Sequence, residues 1–500
     1  MKHMNKILAL ALALIMILGL ATTASAANIE NLSGHTFEAY QILTGTQAES
    51  EGALGDVAWG TGINPDSFIA ALKEDAATKT AFGAVADAKS FAEELAKHAD
   101  KSDIANAVAR IAYASKTDVK VSVAAGSENE LADGYYLIVD ITDVDGDHDA
   151  KNAALLQVTD DITIEVKTDK PTSQKKVKDI NDSEDAEIED NAWQDSADHD
   201  IGDAVPFQLT ATLPNNVTSY NKYYLAFHDV QSAGLTFNAN SVKVFVDGNQ
   251  INSGYEVVTD TDDGCTFEII IKDVRAAAVG AGNGSVITVE YTSTLNENAV
   301  LGSAGNPNTM HIEYSNNPNQ IVEGEEKPET GKTPDDKVIV FTYKVVVNKV
   351  DGKKNPLAGA GFTLYKKNAE GVYEVIEEIS VGTGDDENVF SFEGLDDGDY
   401  KLVETTTPAG YNTIDPIEFT ITAEHDILSD NPALTKLEGG VLFTGEVSTG
   451  ALTGDVVNQA GTTLPETGGI GTTLFYVIGG LLVAAAVVLL VTKKRMASAK

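Results

Sequence analysis

In the stretch YKVVVNKVDG, residues 343–352, alternate positions share one face of a β-strand. Tyr343, Val345 and Val347 make that face apolar, and its next member is Lys349. An unpaired ammonium in a core is costly. Either the strand ends at Asn348 and the lysine snorkels to water, or other strands bring it partners. Further along, in DYKLVETT, the face set by Tyr400 and Leu402 continues to Glu404, and in GDVVNQ the face of Val456 continues to Asn458. An amine, a carboxyl and a carboxamide are thus each aimed from an apolar face. Burial favours the neutral forms of amine and acid. A neutral amine is a nucleophile toward a carboxamide carbonyl, and a protonated acid beside it can relay protons. The same three types recur upstream. PTSQKKVKD sets Lys175 on the face of Val177, with Lys176 the competing choice of register. YYLAFHDV aligns Tyr223, Leu225, Phe227 and Asp229, and MHIEYSNN aligns Met310, Ile312, Tyr314 and Asn316. The competing reading of each trio is a buried ion pair or a misplaced strand end.

The elements that must position these residues are mostly strands. HTFEAYQILTG, GYYLIVDIT and ITIEVK predict a first sheet, interrupted over 65–115 by the helical, alanine-rich SFIAALKEDAATKTAF and KSFAEELAKHADKSDIANAVARIAYAS. From 170 to 322 short strands alternate with Gly, Asn and Asp turns, the pattern of a β-sandwich. An acidic stretch with proline follows at 323–337, a third β unit at 338–459 and a short tether at 460–463. The expected fold class is mainly β, with tandem immunoglobulin-like sandwiches over 27–169, 170–322 and 338–459, the first carrying a helical insertion. The first unit offers no Lys/acid/Asn trio, so no internal bond is expected there.

The ends define where this body works. Residues 1–26 have a basic start, an apolar run and the small-residue site Ala24-Ser25-Ala26, a secretory signal peptide cut after Ala26. Near the other end an uncharged run at 470–491 has the length of a transmembrane helix. The basic tail 492–500 then places the C-terminus in the cytoplasm. The body is exported, yet Cys265 is the one cysteine, so no intramolecular disulfide is available. With 76 Asp and Glu against 35 Lys and Arg, the net charge of −41 excludes nucleic acid as a natural partner. No metal or cofactor is expected. Asp143, Asp145 and Asp147 faintly echo a calcium loop, but the glycine is misplaced and Ala154 stands where a bidentate Glu belongs, so a solvated hairpin tip is the expectation. No nucleophile, base and orienting group converge, and an enzyme is not expected.

Leu464, Pro465, Glu466, Thr467 and Gly468 spell LPETG directly before the apolar run and basic tail. That constellation resembles the cell-wall sorting signal of Gram-positive surface proteins. The resemblance implies that a sortase cysteine attacks the Thr467 carbonyl, breaks the Thr467–Gly468 bond and passes the threonyl group to an amine. KPETG at 327–331 lacks the leading Leu and the following span, and reads as linker.

The Lys349, Glu404 and Asn458 trio, with the YxLxET pattern around Glu404, resembles the collagen-adhesin B-type domain of Gram-positive adhesins and pilins. The resemblance implies an internal Lys349–Asn458 isopeptide bond promoted by Glu404. In the middle unit, which resembles a pilin middle domain, it implies a Lys175–Asn316 bond promoted by Asp229. It also implies an acceptor lysine closing the first unit, Lys167 or else Lys170 beside Pro171, although the Tyr-Pro of the family's acceptor motif is missing from ITIEVKTDKPTSQKK. Taken together, the chain resembles a sortase-assembled backbone pilin. Its implied partners are a class C sortase, a housekeeping sortase, identical subunits, peptidoglycan and possible minor pilins. No host ligand is identifiable. The alternative is a monomeric wall-anchored adhesin or a minor tip or base pilin.

Overall fold

The computed structural model describes residues 26–31, 34–47, 54–98, 102–142, 150–151, 153–158, 162–164, 170–183, 192–324, 326–385, 387–461 and 470–497. The predicted signal peptide up to residue 25, the acidic tip 143–149, Lys167 and the LPETG motif lie outside the described residues.

The first unit pairs a five-stranded sheet with four helices. Strand Phe37–Gln47 lies at its centre, hydrogen-bonded to Leu54–Trp59, Val121–Val123 and Gly134–Asp140. The helical insertion starts at Pro65–Glu74, where Pro65 fits the first turn and Asn64 caps it by accepting from Ser67 N at 3.2 Å. Ala88–Ala96 opens on a capping box between Asp87 and Ser90. Phe68, Leu72, Phe91 and Leu95 face inward and bury against Tyr135 and Leu137 of the sheet. No lysine is buried among the described residues of this unit.

The middle unit is a sandwich of two seven-stranded sheets. One contains, in order, Thr172–Lys178, Ala204–Thr212 and Val286–Leu295. The other contains Asp336–Phe341, Asn306–Ser315, Leu225–Gln231 and Phe267–Ile271. Strict alternation of buried and partly exposed residues along Val286–Leu295 delivers Ile287, Val289 and Tyr291 to the core between them. The C-terminal unit faces a four-stranded sheet, with Tyr343–Asp351 beside Ala451–Asn458, against a five-stranded sheet that includes Gly361–Lys367 and Gly398–Thr406.

The boundary between these two sandwiches departs from the expected linker at 323–337. Thr330–Lys332 and Asp336–Phe341 both pair with Asn306–Ser315, so the second half of this stretch is stitched to the middle sandwich by strand pairing. The strand Asp336–Phe341 then serves two cores. Val338 and Val340 bury in the middle sandwich, while Ile339 and Phe341 bury in the C-terminal one. A strand with apolar residues on both faces is what a sequence run of DKVIVF encodes. Tyr343–Asp351 follows after a single residue, which ties the two sandwiches together through backbone.

Ile470–Ala497 forms one helix of 28 residues. Its side chains are described over 476–490, and Tyr476, Leu481, Leu482 and Leu489 there are all exposed. Among the described residues no helix is long and apolar enough to cross a membrane.

The shared strand makes a prediction. Phe341→Ala should destabilise the C-terminal sandwich by about 3–5 kcal/mol, while Val340→Ala should weaken chiefly the middle one. Differential scanning calorimetry reads the two transitions; if both variants moved only one of them, the strand would belong to a single core.

Candidate functional site

Parallel pairing of the first and last strands of the C-terminal sandwich brings its trio together. Lys349 lies opposite Val456 and Asp351 opposite Asn458, so Lys349 and Asn458 emerge on the same inward face. Glu404 comes from Gly398–Thr406 in the facing sheet. All three side chains are buried. Lys349 Nζ donates to Asn458 Oδ1, and to the Val456 carbonyl at 3.1 Å. Asn458 Nδ2 donates to both Glu404 oxygens, at 2.9 and 3.2 Å. Lys349 Nζ stands 3.5 Å from Glu404 Oε1. The carboxyl is itself fixed by the backbone N–H of Ile414, 3.1 Å from Oε2. Burial pushes the Lys349 amine below its ordinary range, against the opposing pull of Glu404. The carboxamide therefore has the amine at its oxygen and the acid at its nitrogen.

In the middle sandwich Lys175 is fully buried, whereas Lys176 pairs with Asp195 near the surface. Lys175 Nζ donates to Asp229 Oδ2 and to Tyr291 Oη, the latter at 3.0 Å. Tyr291 Oη in turn donates to Asp229 Oδ2 at 2.9 Å. Burial pushes the amine of Lys175 down and the carboxyl of Asp229 up, in each case against the attraction of the other. It also holds the Tyr291 phenol well above its usual range, so this hydroxyl stays protonated.

The asparagine at this site is Asn308 and not Asn316. In the antiparallel pair, Asp229 lies opposite Met310, and Asn308 is the diagonal neighbour on the same face. Asn308 is fully buried and its Nδ2 donates to Tyr291 Oη at 2.9 Å. Asp229 Oδ1 and Asn308 Oδ1 make no hydrogen bond among the described residues. Asn316 shares the parity of Asn308 but follows it by eight residues, about 26 Å at ~3.3 Å per residue. It sits past the end of Asn306–Ser315, where its carbonyl accepts from Lys151 N of the first unit at 2.6 Å. Tyr291 was also not legible as a site residue, because an aromatic on a core face looks like ordinary packing. An asparagine at the buried parity of NPNTMHIEYS is the sequence signal for Asn308.

Of the acceptor lysines, Lys170 is partly exposed just before Thr172–Lys178. Cys265 is no competing nucleophile: burial and the neighbouring Asp263 push its thiol up to about 12.

Comparison with known proteins gives a matching frame. Residues 343–431 match the SpaA prealbumin-like fold domain, and residues 456–498 match the LPXTG cell wall anchor motif. The trypsin-resistant surface T6 protein of Streptococcus pyogenes serotype M6 is 29% identical over 223 residues. That match takes in 42% of this chain and 40% of the relative's length. The solved structure of the T6 backbone pilin of serotype M6 Streptococcus pyogenes, described as a modular three-domain structure, superposes with a TM-score of 0.54 at 19% identity. That superposition covers 89% of this chain and 100% of the other. The chain thus carries a SpaA-type prealbumin-like domain and an LPXTG cell wall anchor motif on a folded body that shares the architecture of a three-domain backbone pilin.

Proposed function

We propose that this protein is the backbone subunit of a sortase-assembled, cell wall-anchored pilus, internally stapled by two Lys–Asn isopeptide bonds. The observation that carries the reading is the buried Lys349–Asn458–Glu404 constellation in a SpaA-type domain directly upstream of an LPXTG anchor.

In the C-terminal domain the neutral Lys349 amine adds to the Asn458 side-chain carbonyl carbon. Glu404, hydrogen-bonded to the departing nitrogen and beside the amine, delivers a proton to the first and takes up the one that the Lys349 nitrogen loses. The C–N bond of the carboxamide breaks, ammonia leaves, and an amide joins the first and last strands. A buried amine, costly whether it is charged or kept neutral, is thereby replaced by a neutral amide. In the middle domain Lys175 and Asn308 form the corresponding bond. Asp229 supplies the acid, its raised affinity for a proton suiting it to donate toward the carboxamide, and the Tyr291 hydroxyl holds amine, acid and carboxamide in place.

Export leaves the precursor held by the anchor segment within 456–498. A sortase then cleaves between Thr467 and Gly468 and transfers the threonyl carbonyl to a lysine of the next subunit, Lys167 or Lys170. A class C enzyme suits polymerisation and a housekeeping enzyme suits final transfer to peptidoglycan. The acidic surface and the lack of disulfides fit a shaft whose strength comes from amide staples.

If both domains react, intact mass spectrometry of the folded protein should fall short of the sequence mass by two ammonia molecules. Asn308→Ala should restore one of them, and Asn316→Ala should restore none; the reverse pattern would return the assignment to Asn316. Glu404→Ala should leave Lys349 and Asn458 unlinked in a domain that still folds. It should be destabilised by about 1–3 kcal/mol from the unpaired buried amine, and a full deficit in that variant would show that another group is the acid. On cells, Lys167→Arg or Lys170→Arg should abolish the high-mass ladder in wall extracts, since guanidinium stays protonated and cannot attack. A wild-type protein found wall-bound with no ladder would instead mark a monomeric adhesin.

A further inference from the structure

The joint between the middle and C-terminal sandwiches buries more carboxylates than cations. Its acidic side chains fall into three tight groups. Asp182, Asp200 and Asp396 surround Lys366, whose Nζ lies 3.3, 2.6 and 3.1 Å from them. Asp179 and Asp198 flank His425, 3.3 and 3.5 Å from its Nε2. The third group, Asp198 with Asp396 and Asp397, has no side-chain cation of its own: Lys366 and His425 already bind the opposite oxygens of Asp396 and Asp198.

Three buried atoms at this third group are left without hydrogen bonds among the described residues. They are Asp198 Oδ2, Asp396 Oδ1 and the hydroxyl of Tyr343, which is aimed at the Asp198 carboxylate without reaching good hydrogen-bond geometry and lies near Asp396 and Asp397. Asp198, Asp396 and Tyr343 are almost fully buried. Orphaned buried oxygens are costly singly, and negative ones side by side are costlier still. The three carboxylates each offer an oxygen within 4.8 Å of the others. Two oxygens bound to one calcium ion at about 2.4 Å can be no further apart than about 4.8 Å, so the spacing suits a single hard cation.

We propose that a divalent cation of the calcium class binds between the two sandwiches, on Asp198 of the middle domain and on Asp396 and Asp397 of the C-terminal domain, with the Tyr343 oxygen facing the site. The donors are all oxygen, as calcium prefers, and they come from separate elements, which suits its tolerance of irregular coordination better than magnesium's strict octahedron. Asp198 ends the short strand Ser196–Asp198, which pairs in parallel with the shared strand Asp336–Phe341. Asp396 and Asp397 form the turn between Val389–Leu395 and Gly398–Thr406. The ion therefore bridges the sandwiches beside the strand they share and stiffens the joint. Sites of extracellular modules bind calcium with Kd of about 10⁻⁴–10⁻³ M, a range that an exported domain can use.

The test is titration of the EDTA-stripped, full-length protein with CaCl2 alone, read by isothermal calorimetry and by thermal unfolding, with MgCl2 as comparison. Calcium at tenfold excess over its Kd should raise Tm by roughly 3–5 °C, and magnesium should do markedly less. Asp198→Asn and Asp397→Asn should each remove the calcium response; the less buried Asp397 serves should the Asp198 variant fail to fold. Absence of binding heat and of any Tm shift would overturn the proposal. So would equal effects of both salts, which is charge screening, or an undiminished calcium response in a folded variant, which places the ion elsewhere.

Discussion

A lysine cannot sit uncompensated in the core of a β-sandwich, and most of what is distinctive here follows from that constraint. Lys175 and Lys349 are each placed by strand alternation on a face that packing forces inward. Each is met there by an acid from the opposite sheet and has a carboxamide nearby. Burying such a pair is at best a weak source of stability, because desolvation offsets the attraction. Conversion of amine and carboxamide into an amide removes the charge and leaves a covalent link between strands. The two sites are arranged differently. Glu404 touches its carboxamide directly, whereas in the middle sandwich Tyr291 stands between Lys175, Asp229 and Asn308.

The placement of the two proposed staples suits a load-bearing role. In the C-terminal sandwich the strands that carry Lys349 and Asn458 are the parallel first and last ones, the latter leading straight into the anchor segment. With the proposed Lys349–Asn458 bond in place, tension applied through the C-terminus would meet it before the hydrogen bonds of the sheet. Upstream, the strand Asp336–Phe341 gives one face to each core. The joint therefore behaves as an extension of both sandwiches, and the clustered carboxylates beside it tie it further through Lys366 and His425.

What the sequence revealed and what it hid have one cause. Period-two alternation states which face a side chain takes, and so it exposed Lys349, Glu404, Asn458, Lys175 and Asp229. It does not state how far along the strand a residue lies. Asn308 lies near one end of the strand Asn306–Ser315 and Asn316, of the same parity, just past the other, and the pattern alone could not choose between them. Register against Leu225–Gln231 chooses Asn308. The run 336–341 read as the end of a linker and the start of one domain because a doubly buried strand and a boundary strand look alike in one dimension. The acid cluster at the joint was invisible for a further reason: Asp198 and Asp396 are far apart in the chain, and only the docking of two domains makes them neighbours.

The central claim is that buried lysines are consumed by neighbouring asparagines. Proteolysis of the folded protein followed by tandem mass spectrometry tests it most directly. The account predicts two branched peptides, one joining the Lys349 segment to the Asn458 segment and one joining the Lys175 segment to the Asn308 segment, each lighter by one ammonia than its parts. Recovery of all four segments as unmodified linear peptides would contradict it.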